Sequence, residues 1–360
     1  MSTISRRTFL GVSSLAISGQ ALGLPSLYTQ KKSLGVALLG LGSYSTYQLA
    51  PALQLTQHCN LAGIITGSPE KIPKWQKQYG IKDRNVYSYD TMNRIANNEE
   101  IDIIYVVTPT GTHADFTIAA ARTGKHVWCE KPMAMDVEEC QRMIDECRKN
   151  KVQLTIGYRV QHEPNTLKFN SYTDTLPFGK ILNADAAAGY RGGGGTGWRF
   201  QKEMGGGALY DMGVYTVNGL RNALKMEPVK VIEAARTTKR PKIFHEVDET
   251  TEYLLEFPGS IAAKGKTSVG ENMNHLRITA EKGWYEMRPM QTYNGVQGSR
   301  SDGVRLNQPV KNQQALQMDD DALALKENKE MPVDPIEGLR DIRVIEAINK
   351  SADTGQPIEI

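Results

Sequence analysis

Three times in the first half of the chain, an apolar run of strand length ends in a short polar or glycine-containing turn and passes into a helical pattern. Leu34 to Leu39 ends at Gly40-Leu41-Gly42-Ser43-Tyr44-Ser45 and enters a helix predicted over roughly Thr46 to Leu55. Ile101 to Val107 ends at Thr108-Pro109-Thr110 and enters a helix from His113 to Thr123, with Thr112 as its expected cap and Gly124 as its stop. His126-Val127-Trp128-Cys129 ends at Glu130-Lys131-Pro132, before a helix over Val137 to Lys149 and a strand over Val152 to Ile156. Such alternation implies a parallel sheet with helices on its faces and all strands ending on one edge. The three turns therefore converge on one crevice, and open α/β sheets bind ligands along that edge.

The position of Gly40 and Gly42, after a first strand and before a helix, makes their turn a dinucleotide phosphate loop. Backbone N–H groups and the helix N-terminus would face the pyrophosphate. Ser43 and Tyr44 belong to this loop. Ser45 stands at the third glycine of the fingerprint, where it is expected to loosen helix–strand packing slightly. A turn of the same shape with no ligand is the alternative.

The second strand, Asn60 to Thr66, should end beside a ribose, where an NAD site usually places an acid. Here the chain reads Thr66-Gly67-Ser68-Pro69-Glu70-Lys71. The hydroxyls of Thr66 and Ser68 and the ammonium of Lys71 suit a 2′-phosphate, so NADP(H) is expected. NAD stays open because Glu70 is near, in what should be the first turn of the next helix.

Lys131 carries the third turn. A lysine at the end of a buried parallel strand is costly to desolvate unless it has work or a partner. Pro132 removes a donor and restricts Lys131 to extended geometry. Glu-Lys-Pro is also a common surface turn, and its place beside the other two turns tells against that reading.

From Asn183 onward the pattern changes. Val229 to Ala235, Thr250 to Phe257, Ser260 to Lys266 and Leu276 to Ala280 are β-type runs with hardly any helix between them. They predict a largely antiparallel sheet with one packed face and one open face. Two helices interrupt it, near Leu209 to Leu224 and Ile336 to Ser351. The expected organisation is a dinucleotide-binding domain over 33–157, an α+β substrate and oligomerisation domain over 158–333, and a C-terminal helix and tail over 334–360. Asp211 and Tyr215, four apart, share a helical face; an acid near the helix dipole plus a core tyrosine is the ordinary reading of such a pair. Gly192 to Gly197 reads either as a mobile loop near substrate or as a plain surface loop. Asp319-Asp320-Asp321 reads as solvated surface.

Residues 1–30 stand apart from the fold. Ser5-Arg6-Arg7-Thr8-Phe9-Leu10 is followed by no charge until Lys31, the pattern of a twin-arginine export signal rather than a membrane anchor. A disordered basic N-terminus is the alternative. Export by this route carries proteins already folded, so the expected location is the periplasm, with cofactor already bound. None of the four cysteines shows metal or disulfide spacing. Cys140 and Cys147 on one helix would sit roughly 10 Å apart, too far to bridge. The six histidines show no metal-ligand spacing, so no metal is expected. A net charge of +3 without a basic cluster does not point to nucleic acid.

The order Gly-x-Gly, Pro109-x-x-x-His113, Gly124-Lys125-His126-Val127-x-x-Glu130-Lys131-Pro132 and Gly157-Tyr158-Arg159 resembles the Gfo/Idh/MocA family of sugar and polyol oxidoreductases. Trp198-Arg199 and Gly205-Gly206-Gly207-Ala208-Leu209-Tyr210-Asp211-Met212-Gly213-Val214-Tyr215 are similar to its periplasmic glucose–fructose oxidoreductase branch. The likeness covers roughly residues 33 to 360. It implies a Rossmann domain followed by an α+β domain whose open sheet forms a homodimer or homotetramer interface. It implies Lys131, Asp211 and Tyr215 as the catalytic set facing a nicotinamide. Cofactor contacts would come from Gly40, Gly42, Ser43, Tyr44, Thr66, Ser68, Lys71, Thr108, Pro109, His113, Glu130 and Lys131. Arg159, His162 and Arg199, with Asp211 and Tyr215, would contact sugar. A tyrosine base, with an ordinary pKa of roughly 10, needs a cation beside its phenolate, and Lys131 would supply it.

The implied activity is hydride exchange between sugars through tightly bound NADP. Other readings are a dehydrogenase acting at another carbon such as C3, an NAD-dependent redox glycosidase, and a dinucleotide sensor without activity. The glycosidase offshoot lacks the Glu-Lys-Pro lysine, which is present here, and the complete Lys131, Asp211 and Tyr215 set argues against a sensor.

Overall fold

The computed structural model describes residues 31–192 and 196–360. The expected export signal in residues 1–30, and the centre of the Gly192–Gly197 loop, lie outside the described residues. Among the described residues no helix is long and apolar enough to cross a membrane.

The first part comprises β1 (Leu34–Leu39), a π-helical turn (Ser45–Leu49) continued by α1 (Ala50–Ala52), β2 (Cys59–Ile65), α2 (Ile72–Tyr79), β3 (Val86–Tyr87), β4 (Ile103–Val106), α3 (His113–Ala121), β5 (His126–Cys129), α4 (Val137–Lys149) and β6 (Leu154–Ile156). The six strands run parallel in the order β3-β2-β1-β4-β5-β6. That order reverses between β1 and β4, so the crevice opens at their carboxyl ends. β1, β4, β5 and β6 are buried at every residue, as a sheet covered on both faces requires.

Three local expectations are corrected. The first helix is shorter and wider than predicted. Pro51 has no N–H to give Tyr47, the Ala50 amide bonds Ser45 five residues back, and the regular helix ends at Ala52. Ser45 does not loosen the packing, because its buried hydroxyl donates to Gly40 O at 2.5 Å and ties the glycine loop to the helix. Thr112 does not cap α3; its hydroxyl faces Thr108 Oγ1 and Pro109 O, both at 2.8 Å, within a 3-10 turn that precedes the helix. Gly124 does follow α3 with a left-handed φ of 74°.

The second part continues with α5 (Pro164–Asn170), α6 (Tyr172–Thr175), β7 (Ile181–Gly189), a π-helical turn (Leu209–Gly213) leading into α7 (Val214–Leu224), β8 (Lys230–Thr237), β9 (Thr250–Phe257), β10 (Ile261–Ser268), β11 (Met273–Ala280), β12 (Gly283–Met287), β13 (Gly298–Arg300), β14 (Arg305–Leu306), α8 (Gln313–Lys326), α9 (Ile336–Thr354) and β15 (Ile358–Glu359). The sheet order is β14-β13-β12-β11-β7-β10-β9-β8-β15, antiparallel except where β7 meets β10. One face is buried under α7 and α9, with Val214, Val217, Leu220, Leu339, Ile342 and Leu255 in one core. On the other face Glu252, Leu254, Glu256, Lys264 and Lys266 alternate with buried neighbours, and Lys266 pairs with Glu252 across β9 and β10 at 3.0 Å.

No sequence pattern marked α8, and it corrects the solvated reading of Asp319-Asp320-Asp321. α8 lies on the first sheet's side of the molecule, where Met318, Ala322 and Leu325 share a core with Leu34, Leu49 and Cys59. Asp319 accepts the amides of Gln57 and His58 at 2.8 Å. Asp321 is fully buried, and that burial pushes its carboxyl up to about 7 against the opposing effect of His162. An acidic run looks solvated when its partners are backbone amides and a histidine far away in the chain.

Candidate active site

β5 and its turn place two charged side chains back to back. Glu130 is buried, accepting from Tyr105 OH at 2.5 Å and from the Lys131 amide at 3.3 Å, and burial raises its pKa. Lys131 extends to the second part of the chain, where Nζ donates to Asp211 O at 3.3 Å and lies 4.5 Å from the Tyr215 ring centroid. Burial works to lower the Lys131 pKa, but Tyr215, Asp211 and Glu130 outweigh it and hold it above the ordinary lysine value. Lys131 is therefore an ammonium at neutral pH, a donor and a fixed positive charge.

Asp211 and Tyr215 come from the π turn and the first turn of α7. Asp211 is 7% exposed; its Oδ2 accepts from Tyr190 OH at 2.8 Å and from Arg199 Nε at 3.2 Å. Both donors engage Oδ2, so Oδ1 is the oxygen that a ligand hydroxyl would meet. A second cation faces Tyr215. Arg159 is buried, with its guanidinium 5.8 Å from the Tyr215 centroid and 5.0 Å from that of Tyr293. It is fixed by Thr292 O at 2.8 Å, Gln291 Oε1 at 3.2 Å and a further bond to Gln313 of α8.

The structure thus brings together Lys131, Asp211, Tyr215, Arg159 and Arg199. His162, expected at the sugar, is buried against α8. Nδ1 is 2.9 Å from Asp320 Oδ2, and Nε2 lies 3.8 Å from Asp321 Oδ1, beyond hydrogen-bond distance. Two aromatic residues of the cluster escaped the sequence reading. Tyr190 directly follows β7, where only the neighbouring glycine run marked the place. Tyr293 sits between β12 and β13 in a segment without any motif.

The nucleotide edge lies alongside. Gly40 has a φ of 98°, and a Cβ there would come within 2.6 Å of Val107 O, so only glycine fits the close approach of loop and strand. A Cβ on Gly42 would meet nothing within 4 Å; the loop backbone there borders open space into which a phosphate fits. Lys71 Nζ reaches back to Leu41 O at 3.1 Å, which brings a cation to this loop. Thr66 Oγ1 accepts the Ser68 amide at 3.0 Å, while Glu70 is exposed on a 3-10 turn. Thr108 and Pro109 are half-buried at the end of the β4 run.

His113, expected at the cofactor, lies between two of the turns. It is buried with its nitrogens at 2.8 Å from Pro132 O and 2.9 Å from Thr108 O, and burial lowers its pKa. It clips the Thr-Pro-Thr turn to the Glu-Lys-Pro turn and so supports the crevice from behind. The residues present fit a phosphate-bearing dinucleotide, with an ammonium and a tyrosine facing each other next to it.

Known proteins are similar to this chain in sequence and fold. Residues 34–158 match the model of an oxidoreductase family with an NAD-binding Rossmann fold, and residues 174–286 match the GFO/IDH/MocA C-terminal domain. The crystal structure of an aldose–aldose oxidoreductase from Caulobacter crescentus is 35% identical, covers 91% of this chain and 100% of its own, and superposes with a TM-score of 0.87. A 3-ketoreductase from Actinomadura kijaniata, solved with NADP and TDP-benzene, shares the fold at a TM-score of 0.78 and 20% identity, over 89% of this chain and 98% of its own. A D-xylose 1-dehydrogenase [NADP(+)] from Haloarcula marismortui is 26% identical over 70% of this chain and 71% of the relative.

Proposed function

Because the chain belongs to the Gfo/Idh/MocA family of NAD(P)-dependent oxidoreductases, we propose that it exchanges hydride between two sugars using an NADP(H) that it does not release. The observation that carries the chemistry is the Lys131 ammonium lying 4.5 Å from the Tyr215 ring while it donates to the backbone carbonyl of Asp211. The likeness to an aldose–aldose oxidoreductase along nearly the whole chain supports exchange over simple dehydrogenation.

Gly40, Gly42, Ser43, Thr66, Ser68 and Lys71 hold the phosphates and ribose in this reading, and Lys71 in place of an acid favours the 2′-phosphate. When bound, the nicotinamide supplies the hydride acceptor and donor. Tyr215 accepts the proton of the sugar hydroxyl as its C–H bond breaks and the carbonyl forms. Lys131 donates to the same oxygen and stabilises its negative charge. Asp211 Oδ1 accepts a neighbouring hydroxyl, with Tyr190 and Arg199 holding the carboxylate in place. After the first product leaves, Tyr215 returns its proton to the carbonyl oxygen of the second sugar.

Residues 1–30 would export the folded, loaded protein by the twin-arginine route to the periplasm. No free nicotinamide pool is at hand there, and a second sugar must regenerate the cofactor. The outward face of the nine-stranded sheet, with its alternating Glu and Lys rows, would pair subunits into a dimer or tetramer.

Steady-state rates without added nucleotide, at several fixed concentrations of the second sugar, test the exchange; double-reciprocal lines should be parallel. Turnover that requires added NADP⁺ and saturates with it would instead favour a conventional dehydrogenase, the reading supported by the xylose dehydrogenase relative.

A further inference from the structure

The crevice is closed differently on its two sides. On the Thr-Pro-Thr side the two parts of the chain touch through backbone and tight packing. A Cβ on Gly111 would come within 2.3 Å of Glu203 O, one on Gly205 within 2.7 Å of Thr110 Cβ, and Tyr210 OH donates to Met135 O at 2.6 Å. Contacts that close leave no room for play. On the glycine-loop side α8 packs behind the loop on Leu49 and Cys59, and the loop itself meets the second part through a pair of rings. Tyr44 of the loop and Tyr293 of the second part face each other with centroids 6.0 Å apart and planes inclined by 34°, and Tyr293 is 42% exposed.

Tyr293 is nevertheless firmly mounted. Arg159 lies over its ring and binds the carbonyl of Thr292 beside it, while Asn274 Oδ1 accepts the amides of Met290 and Gln291 at 2.8 and 3.0 Å. Tyr44, by contrast, is carried by the loop whose backbone suits the pyrophosphate. It also lies within electrostatic reach of Glu130, Arg159 and Tyr215. Its ring therefore spans from the phosphate loop to the catalytic cluster.

We propose that the Tyr44–Tyr293 contact is a latch that retains the nicotinamide nucleotide between turnovers, with Tyr293 a positioning residue for the cofactor. The proposal rests on the reading that a nucleotide occupies this crevice, and it adds what keeps it there. A nucleotide reaching from the glycine loop to Lys131 follows the line that the two rings close. Its departure requires the Tyr44 and Tyr293 rings to separate.

The test is the release rate of bound NADPH, followed by fluorescence after a chase with excess NADP⁺, in the wild type, Tyr44→Leu, Tyr293→Leu, the double variant and Tyr293→Phe. An aromatic pair of this kind predicts release about three- to tenfold faster in each leucine variant. The double variant should be no faster than the faster single one, since both changes remove one contact. Tyr293→Phe, which keeps the ring, should release at the wild-type rate. Wild-type rates in the leucine variants, or effects that multiply in the double variant, overturn the latch. Loss of nucleotide from the wild type on desalting would refute permanent retention while leaving the rate comparison to decide the latch. A protein that takes up no NADPH overturns both.

Discussion

Tyr215→Phe removes one oxygen from the centre of the cluster and little else. The ring stays beneath Lys131 at 4.5 Å and within reach of Arg159, so the fold and the charges around it remain. The remaining candidate base is Lys131, and its surroundings hold its pKa above the ordinary lysine value. At neutral pH an amine held above the ordinary lysine value is almost wholly the ammonium, which has no lone pair to take a proton. Oxidation of a bound sugar should therefore slow by roughly three orders of magnitude, within the range of about 10² to 10⁴ for a lost acid–base group. The residual rate should climb close to tenfold per pH unit between about pH 7 and 9, because each unit deprotonates tenfold more of the ammonium. Rapid mixing of NADP⁺-loaded protein with aldose, read by nicotinamide absorbance, measures this step apart from sugar exchange. A variant that keeps more than a tenth of the wild-type rate, or whose residual rate is flat with pH, would refute the assignment of proton transfer to Tyr215.

Lys71→Ala should weaken NADPH binding by about ten- to a hundredfold, the size of a lost hydrogen bond to a charged group, and leave NADH binding nearly unchanged. Equal effects on both nucleotides in fluorescence titrations would remove Lys71 from the 2′-phosphate. Asp321 gives a pH dependence of stability. Burial raises its folded-state pKa to about 7, above the unfolded value of about 3.9. The stability it contributes is thus complete below about pH 4 and is lost as pH rises through 7. Thermal melts from pH 4 to 8 should show the wild type falling relative to Asp321→Asn, and parallel curves would contradict the burial argument.

Five strands of the first sheet were legible because each is an apolar run closed by a recognisable turn, and the turns carry the phosphate loop and Lys131; the edge strand β3, only Val86–Tyr87, is too short to leave a pattern. Asp211 and Tyr215 were legible as a pair at helical spacing, once the resemblance gave them work. What the sequence hid depends on contacts between distant segments. Tyr190 and Tyr293 are single tyrosines in irregular stretches, and nothing local shows that one holds Asp211 while the other faces Tyr44. His162 follows the Gly-Tyr-Arg motif closely, yet its partners lie on α8, some 160 residues away by number, at 320 and 321. His113 is part of a motif and still serves the backbone, because both its nitrogens face carbonyl groups.

The π turn at Leu209–Gly213 has a consequence for register. A π turn is one residue longer than the α turn it replaces. Within an unbroken α-helix each residue advances the direction of its neighbours by about 100°. Removing a single residue from this stretch would leave the helix intact and rotate Asp211 about 100° relative to Tyr215. The carboxylate would then turn away from Tyr190 and Arg199 while both of those residues were still present. Helices of the same length and composition can therefore differ in whether they form this site, and counting four positions back from the tyrosine identifies the acid only where the extra residue is retained.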